Sequence, residues 1–119
     1  MMVLEWVIQS LSGFEGSNPS PLIFNMAIEL CGVGGYNQVG KNMTAINVDG
    51  DVVLLDMGLY LEEYIKYQEE TNEGKLSTSE LMETGSLPDI SKIKDWHKKV
   101  KAIIPSHAHL DHIGAIPFL

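Results

Sequence analysis

At 119 residues, with 45% hydrophobic and 20% charged side chains, the chain has the composition of one small globular domain or of part of a larger one. Its net charge of −8 argues against this segment alone offering an electropositive track to nucleic acid, so a phosphate-rich partner would be gripped locally, by a metal, or by parts outside this chain. A single cysteine, Cys31, excludes an internal disulfide and fits a reducing, cytoplasmic setting, and no apolar run reaches the roughly 18–20 residues of a membrane span.

The opening Met2-Val3-Leu4-Glu5-Trp6-Val7-Ile8 is apolar, yet it has no basic start and carries a glutamate, so it does not read as a signal peptide. It runs into Ser12 to Pro21, a stretch rich in turn and breaker residues. Residues 1–25 therefore read as an unordered or non-native extension ahead of a start at Met26, with a packed N-terminal helix as the alternative. Ala27 to Val33 is a strand candidate that enters a glycine-rich loop. Met43 to Val48 and Val52 to Met57 read as two strands joined at Asp49-Gly50, because a type I′ turn needs positive φ at both central positions. Val53-Leu54-Leu55 is continuous rather than alternating, which predicts a strand covered on both faces.

The period changes over Leu59 to Glu70, where Leu61, Tyr64, Ile65 and Gln68 fall at helical spacing. Gly74 is placed to terminate that helix, and Ser77-Thr78-Ser79-Glu80 resembles a capping box leading onto Leu81-Met82. Residues 60–88 together read as a partly helical, acidic surface insertion. A further helix is expected from Ile90 to about Lys99, with Ile90, Ile93, Trp96, His97 and Val100 on its inner face and lysines around the rest as a solvated face. Lys101 to Ile104 then forms a strand, and the run Ala102-Ile103-Ile104-Pro105 reads as buried. Ile113 to Leu119 would begin one more helix. This order is an α/β layer pattern with too few strands to close a two-sheet core, so residues 26–119 read as the first part of a domain.

The chemistry lies in Ser106-His107-Ala108-His109-Leu110-Asp111-His112. Three of the four histidines and one carboxylate fall within six positions directly after a strand, and imidazole nitrogen and carboxylate oxygen suit zinc. A lone histidine is usually satisfied by local hydrogen bonds; a cluster at this spacing is not. Residues two apart on an extended strand end point the same way, so His107 and His109 can share one ion, while Asp111 and His112 can address a second beside it. More ligands are needed to complete a two-metal site, and His97 reads as packed or surface rather than as one of them. Asp56 ends a strand and is either a turn former or a carboxylate that supports a ligating histidine. Gly35-x-x-x-x-Gly40-Lys41 falls one residue short of a nucleotide P-loop, since Asn42 stands where Ser or Thr is needed and a strand follows where a helix must open. A tight loop with close backbone approach is the better account. Cys31 reads as a small buried strand residue.

The stretch from Ser106 to Pro117 resembles the H-x-H-x-D-H motif of the metallo-β-lactamase superfamily. More narrowly, Gly34 to Thr44 followed by Leu55-Asp56-Met57-Gly58 is similar to the start of the ribonuclease J family, in the β-CASP branch, and Tyr64 to Asp89 is most like its archaeal form. The resemblance covers roughly residues 27–119 and implies the first part of an αββα sandwich, incomplete in this chain. It also implies a two-zinc ribonuclease degrading RNA from the 5′ end, with endonuclease action as a further expectation. By motif position His107 and His109 would bind one zinc and Asp111 and His112 the other, with Asp56 supporting the site; Asp111 and Asp56 are the expected catalytic carboxylates. The partners implied are RNA, held through parts mostly outside this chain, and a second copy of the full-length protein, but no membrane. The 119-residue chain alone is expected to be inactive. Two other readings share the metal motif: a hydrolase of small esters or thioesters on the same fold, and a non-catalytic metal-binding paralogue.

Overall fold

The computed structural model describes residues 4–7 (as backbone), 27–71 and 77–119. Five strands form one sheet in chain order: β1 (Leu4–Val7), β2 (Ala27–Gly34), β3 (Met43–Val48), β4 (Asp51–Leu55) and β5 (Val100–Ile104). The first four pair antiparallel with one another in sequence order, and β5 lies parallel to β4. Four residues of the segment expected to be an extension thus sit as an edge strand, Leu4 opposite Leu30 and Val7 opposite Ala27. The other residues of 1–25 lie outside the described residues, as does Gly74.

The β3–β4 hairpin forms as its sequence dictates. Asp49 and Gly50 have φ of 51° and 94°, both positive as the turn requires. Asn47 is buried beneath it, its side-chain oxygen accepting from Gly50 N at 2.9 Å while its amide donates to Glu29 Oε2. Alternation sets the core: Cys31 and Val33 of β2, Met43 and Ala45 of β3, and Val52 and Leu54 of β4 share one face. Burial raises the Cys31 thiol above its ordinary value, which keeps it protonated and inert, as a small core residue should be.

The other face of β4 is open, contrary to the two-sided burial expected from Val53-Leu54-Leu55: Leu55 is 38% exposed. β5 departs further, with Ala102, Ile103 and Ile104 exposed where a buried strand was expected. The reason is positional. β5 is the edge of the sheet, and among the described residues nothing pairs with its outer side.

Helix α1 spans Leu61–Thr71 and α2 Thr78–Glu83. The capping box at Ser77 forms in both directions, with Ser77 N donating to Glu80 Oε2 at 2.8 Å and Glu80 N to Ser77 Oγ at 3.3 Å. The segment 60–88 is not wholly a surface insertion, since Leu81, Ser86, Leu87 and Pro88 are buried in the core. In place of one helix from Ile90, two short 3₁₀ turns form at Ile90–Ile93 and His97–Lys99. Breaking the helix turns His97 outward, so it is exposed rather than on the inner face; Ile93 alone of that face is fully buried. Finally, α3 covers Leu110–Ile113 instead of starting at Ile113, and His109 is its N-cap.

Candidate metal centre

Both candidate segments leave the sheet at the same edge. Asp56 follows β4 and Ser106 follows β5, and the parallel pairing of those strands brings the two ends together, with Asp56 N donating to Ile104 O at 3.1 Å. Asp56 adopts φ of 59°, a left-handed conformation that aspartate tolerates better than most residues. From there its carboxylate accepts Ser106 N at 2.6 Å, Ser106 Oγ at 3.1 Å and His112 Nδ1 at 2.8 Å. Burial pushes the Asp56 carboxyl up, but these hydrogen bonds outweigh it and hold the group below its ordinary value. It is therefore an ionised acceptor at neutral pH.

That one charge sets two histidine tautomers. An ionised carboxylate can only accept, so His112 Nδ1 carries a proton and donates it to Asp56. The single hydroxyl proton of Ser106 goes to Asp56, so Ser106 Oγ accepts from His107 Nδ1 at 3.0 Å. In the neutral rings both Nε2 atoms are then left with lone pairs. His112 Nε2 faces Asp111 Oδ2 at 3.2 Å. Two acceptors at that separation repel unless a proton or a cation lies between them, and two ligands of one tetrahedral zinc sit about 3.3 Å apart.

The donor set fits such an ion. His107, Asp111 and His112 each present a ligand atom, all within 4.8 Å of one another, the one such group among the described residues. His107 of one expected pair thus lies beside both members of the other. His109 lies outside that trio but beside it, its Nδ1 3.1 Å from His107 Nε2. The ring centroids of His107 and His112 are 4.0 Å apart. His97 takes no part; its Nδ1 lies 2.6 Å from Lys94 O.

Besides its own turn of helix, the loop is stitched to distant backbone. Met57 N donates to His112 O at 2.7 Å, Leu59 N to Leu110 O at 2.9 Å and Ala115 N to Met57 O at 3.0 Å. Gly58 lies against this seam so closely that a Cβ would stand 1.6 Å from Asp111 O, so no other residue fits without moving the loop. On the other side Asn42 N donates to Asp111 O at 3.1 Å and Gly58 N to Asn42 O at 2.9 Å. The glycine loop is thus the close-approach element expected, and Met43–Val48 runs on as a strand, which excludes a P-loop. Reading the residues in order assigned no role to Ser106, Asn42 or Gly58. Their importance depends on partners 50 to 69 positions away, for which no local periodicity gives a signal.

Among the described residues no helix is long and apolar enough to cross a membrane. The family model of the metallo-beta-lactamase superfamily matches residues 36–119. Ribonuclease J of Methanocaldococcus jannaschii is 48% identical over 79% of this chain and 21% of its own length. Ribonuclease J of Pyrococcus abyssi is 45% identical over 75% of the chain and 19% of its own length, and that of Mycoplasma genitalium 29% over 86% and 16%. The chain spans about a fifth of the length of these relatives. With the match covering most of its length and the sheet edge carrying the histidine–aspartate loop, the chain belongs to the metallo-β-lactamase superfamily, a family of metal-dependent hydrolases.

Proposed function

We propose that this chain is the N-terminal part of a zinc-dependent ribonuclease of the cytoplasm that hydrolyses RNA phosphodiesters from the 5′ end, with endonucleolytic cleavage as a further activity of the same site. The observation that carries the reading is the convergence of His107, Asp111 and His112 with Asp56 behind them. The likeness to Ribonuclease J of M. jannaschii narrows it to RNA. Two imidazoles and a carboxylate suit zinc better than the harder magnesium or calcium. His107 and His109 would hold one zinc and Asp111 and His112 the second, with further ligands from sequence outside this chain. When bound there, zinc supplies Lewis acidity and lowers the pKa of a water toward about 7.

The protein's own contribution is orientation. Asp56 and Ser106 fix the imidazole tautomers so that Nε2 of each ring is unprotonated, and Asp111 adds negative charge that draws cations to the cluster. Asp111 and Asp56 are thus the two carboxylates on which hydrolysis depends. RNA is the proposed partner, gripped mainly by parts outside this chain, which itself carries net charge −8. A homodimer of the full-length protein is the proposed assembly, resting on the family resemblance.

A chimera tests the reading. Residues 26–119 replace the matching part of M. jannaschii Ribonuclease J, and a 5′-labelled RNA is offered with zinc. The expected result is stepwise loss of nucleotides, abolished by His112→Ala, while the 119-residue chain alone does nothing. Thioester hydrolysis without RNA cleavage would favour the small-ester hydrolase, and no turnover with fewer than two zincs bound would favour the non-catalytic paralogue. Zinc-dependent cleavage by the 119-residue chain alone, abolished by His109→Ala, would contradict the expectation that it is inactive.

A further inference from the structure

The glycine loop reaches the metal centre through one side chain. Asn42 follows the loop and lies half-buried beside α3. Its Nδ2 donates to Asp111 O at 3.0 Å, and since a backbone carbonyl can only accept, this contact fixes which end of the amide faces the loop. The same Nδ2 lies 3.4 Å from Asp111 Oδ2 and 3.4 Å from His112 Nε2. These are the two acceptors that face each other at 3.2 Å. One amide hydrogen goes to the Asp111 backbone, and the other is within reach of Asp111 Oδ2.

The amide has little freedom to leave. Its own backbone is pinned on both sides, N to Asp111 O and O to Gly58 N. Gly35, with φ of 85°, packs against it so tightly that a Cβ there would meet Asn42 Oδ1 at 2.4 Å. A longer side chain at position 42 or any side chain at position 35 would disturb this fit.

We infer that Asn42 is a positioning residue for the metal centre: its amide holds the Asp111 backbone and carboxylate so that the other lone pairs of Oδ2 face a zinc shared with His112, and it ties that ligand to the glycine loop. The inference rests on the metal reading above and adds to it a residue outside the histidine motif. Partners of this kind, one shell out from the metal, are worth about 10- to 100-fold in affinity.

The test is a competition titration of the 119-residue chain with zinc against a chromophoric chelator, paired with the visible spectrum of the cobalt(II)-loaded chain. Asn42→Ala is expected to weaken zinc binding about 10- to 100-fold. It is also expected to change the cobalt band shape at saturation, beyond the small fall in melting temperature that loss of the bond to Asp111 O brings. A purely structural role would shift the melting curve and leave the saturated cobalt spectrum as it was. Should Asn42→Ala fail to fold, Asn42→Ser decides the matter, since its hydroxyl is too short to reach either ligand atom and it must behave in the same way. Zinc affinity within twofold of the parent chain, with an unchanged cobalt spectrum, would overturn the role of Asn42 alone. Absence of zinc binding both in the parent chain and in the chimera that carries residues 26–119 would overturn the metal reading and this inference together.

Discussion

The hairpin of β3 and β4 and the loop from Ser106 to His112 are built on opposite principles. The hairpin is held by its own ladder, from Val48 opposite Asp51 to Thr44 opposite Leu55, and by Asn47 beneath its turn. The loop is held by bonds to Asn42, Asp56, Met57 and Leu59, at sequence separations of 50 residues and more. A locally specified element can form as soon as its residues are made, whereas the loop takes its shape only when the sheet has closed around it. Placing the proposed metal ligands on the second kind of element makes their geometry a property of the whole sheet edge.

Two glycines separate the regions most sharply. Gly58→Ala drives a methyl into Asp111 O and is expected to cost about 3 kcal/mol or more, with loss of zinc binding, in urea unfolding and zinc titration. Retention of both would show that the seam is looser than its contacts imply. Next in size, Asp56→Ala removes the acceptor that sets both histidine tautomers. It should weaken zinc binding about 10- to 100-fold while the hairpin remains folded, as read by competition titration and by amide resonances of β3 and β4.

Gly50→Ala probes the hairpin in turn. No atom lies within 4 Å of the added methyl, so only the positive φ is penalised, at about 1 kcal/mol, and zinc affinity should stay as it was. The smallest effect falls at α2, remote from both. Ser77→Ala should cost about 1 kcal/mol in thermal or urea unfolding. The hydrogen bonds from the Ser77 hydroxyl and backbone hold the Glu80 carboxyl below its ordinary value. A lowered folded-state value means that the capping contribution is present above the ordinary carboxyl range and fades as pH falls through the folded value. A helix signal for α2 that does not weaken on acidification would contradict the box.

The same contrast explains what could be read from residues alone. Asp49-Gly50 announces its turn, Ser77 and Glu80 their cap, and three histidines with an aspartate their metal chemistry, because each signal lies within a few positions. Asp56 was legible as a carboxylate at a strand end, but its contact with His112 rests on the parallel register of β4 and β5. The exposure of Ile103 and Ile104 was hidden because an apolar run gives no sign that its strand lies at a sheet edge. His97 was misplaced for a related reason: the spacing fits a helix, but Ile90 to Lys99 forms two 3₁₀ turns, whose different period carries it outward. Asn42 and Ser106 act through partners that only the folded sheet supplies.

Central to the account is the metal centre built around His107, Asp111 and His112, with His109 beside them, and zinc titration of single variants tests it most directly. His107→Ala, Asp111→Ala and His112→Ala should each lose tight zinc binding, while His97→Ala and Cys31→Ser keep it. Zinc binding that survives all three of the first substitutions, or that disappears with Cys31→Ser, would contradict it.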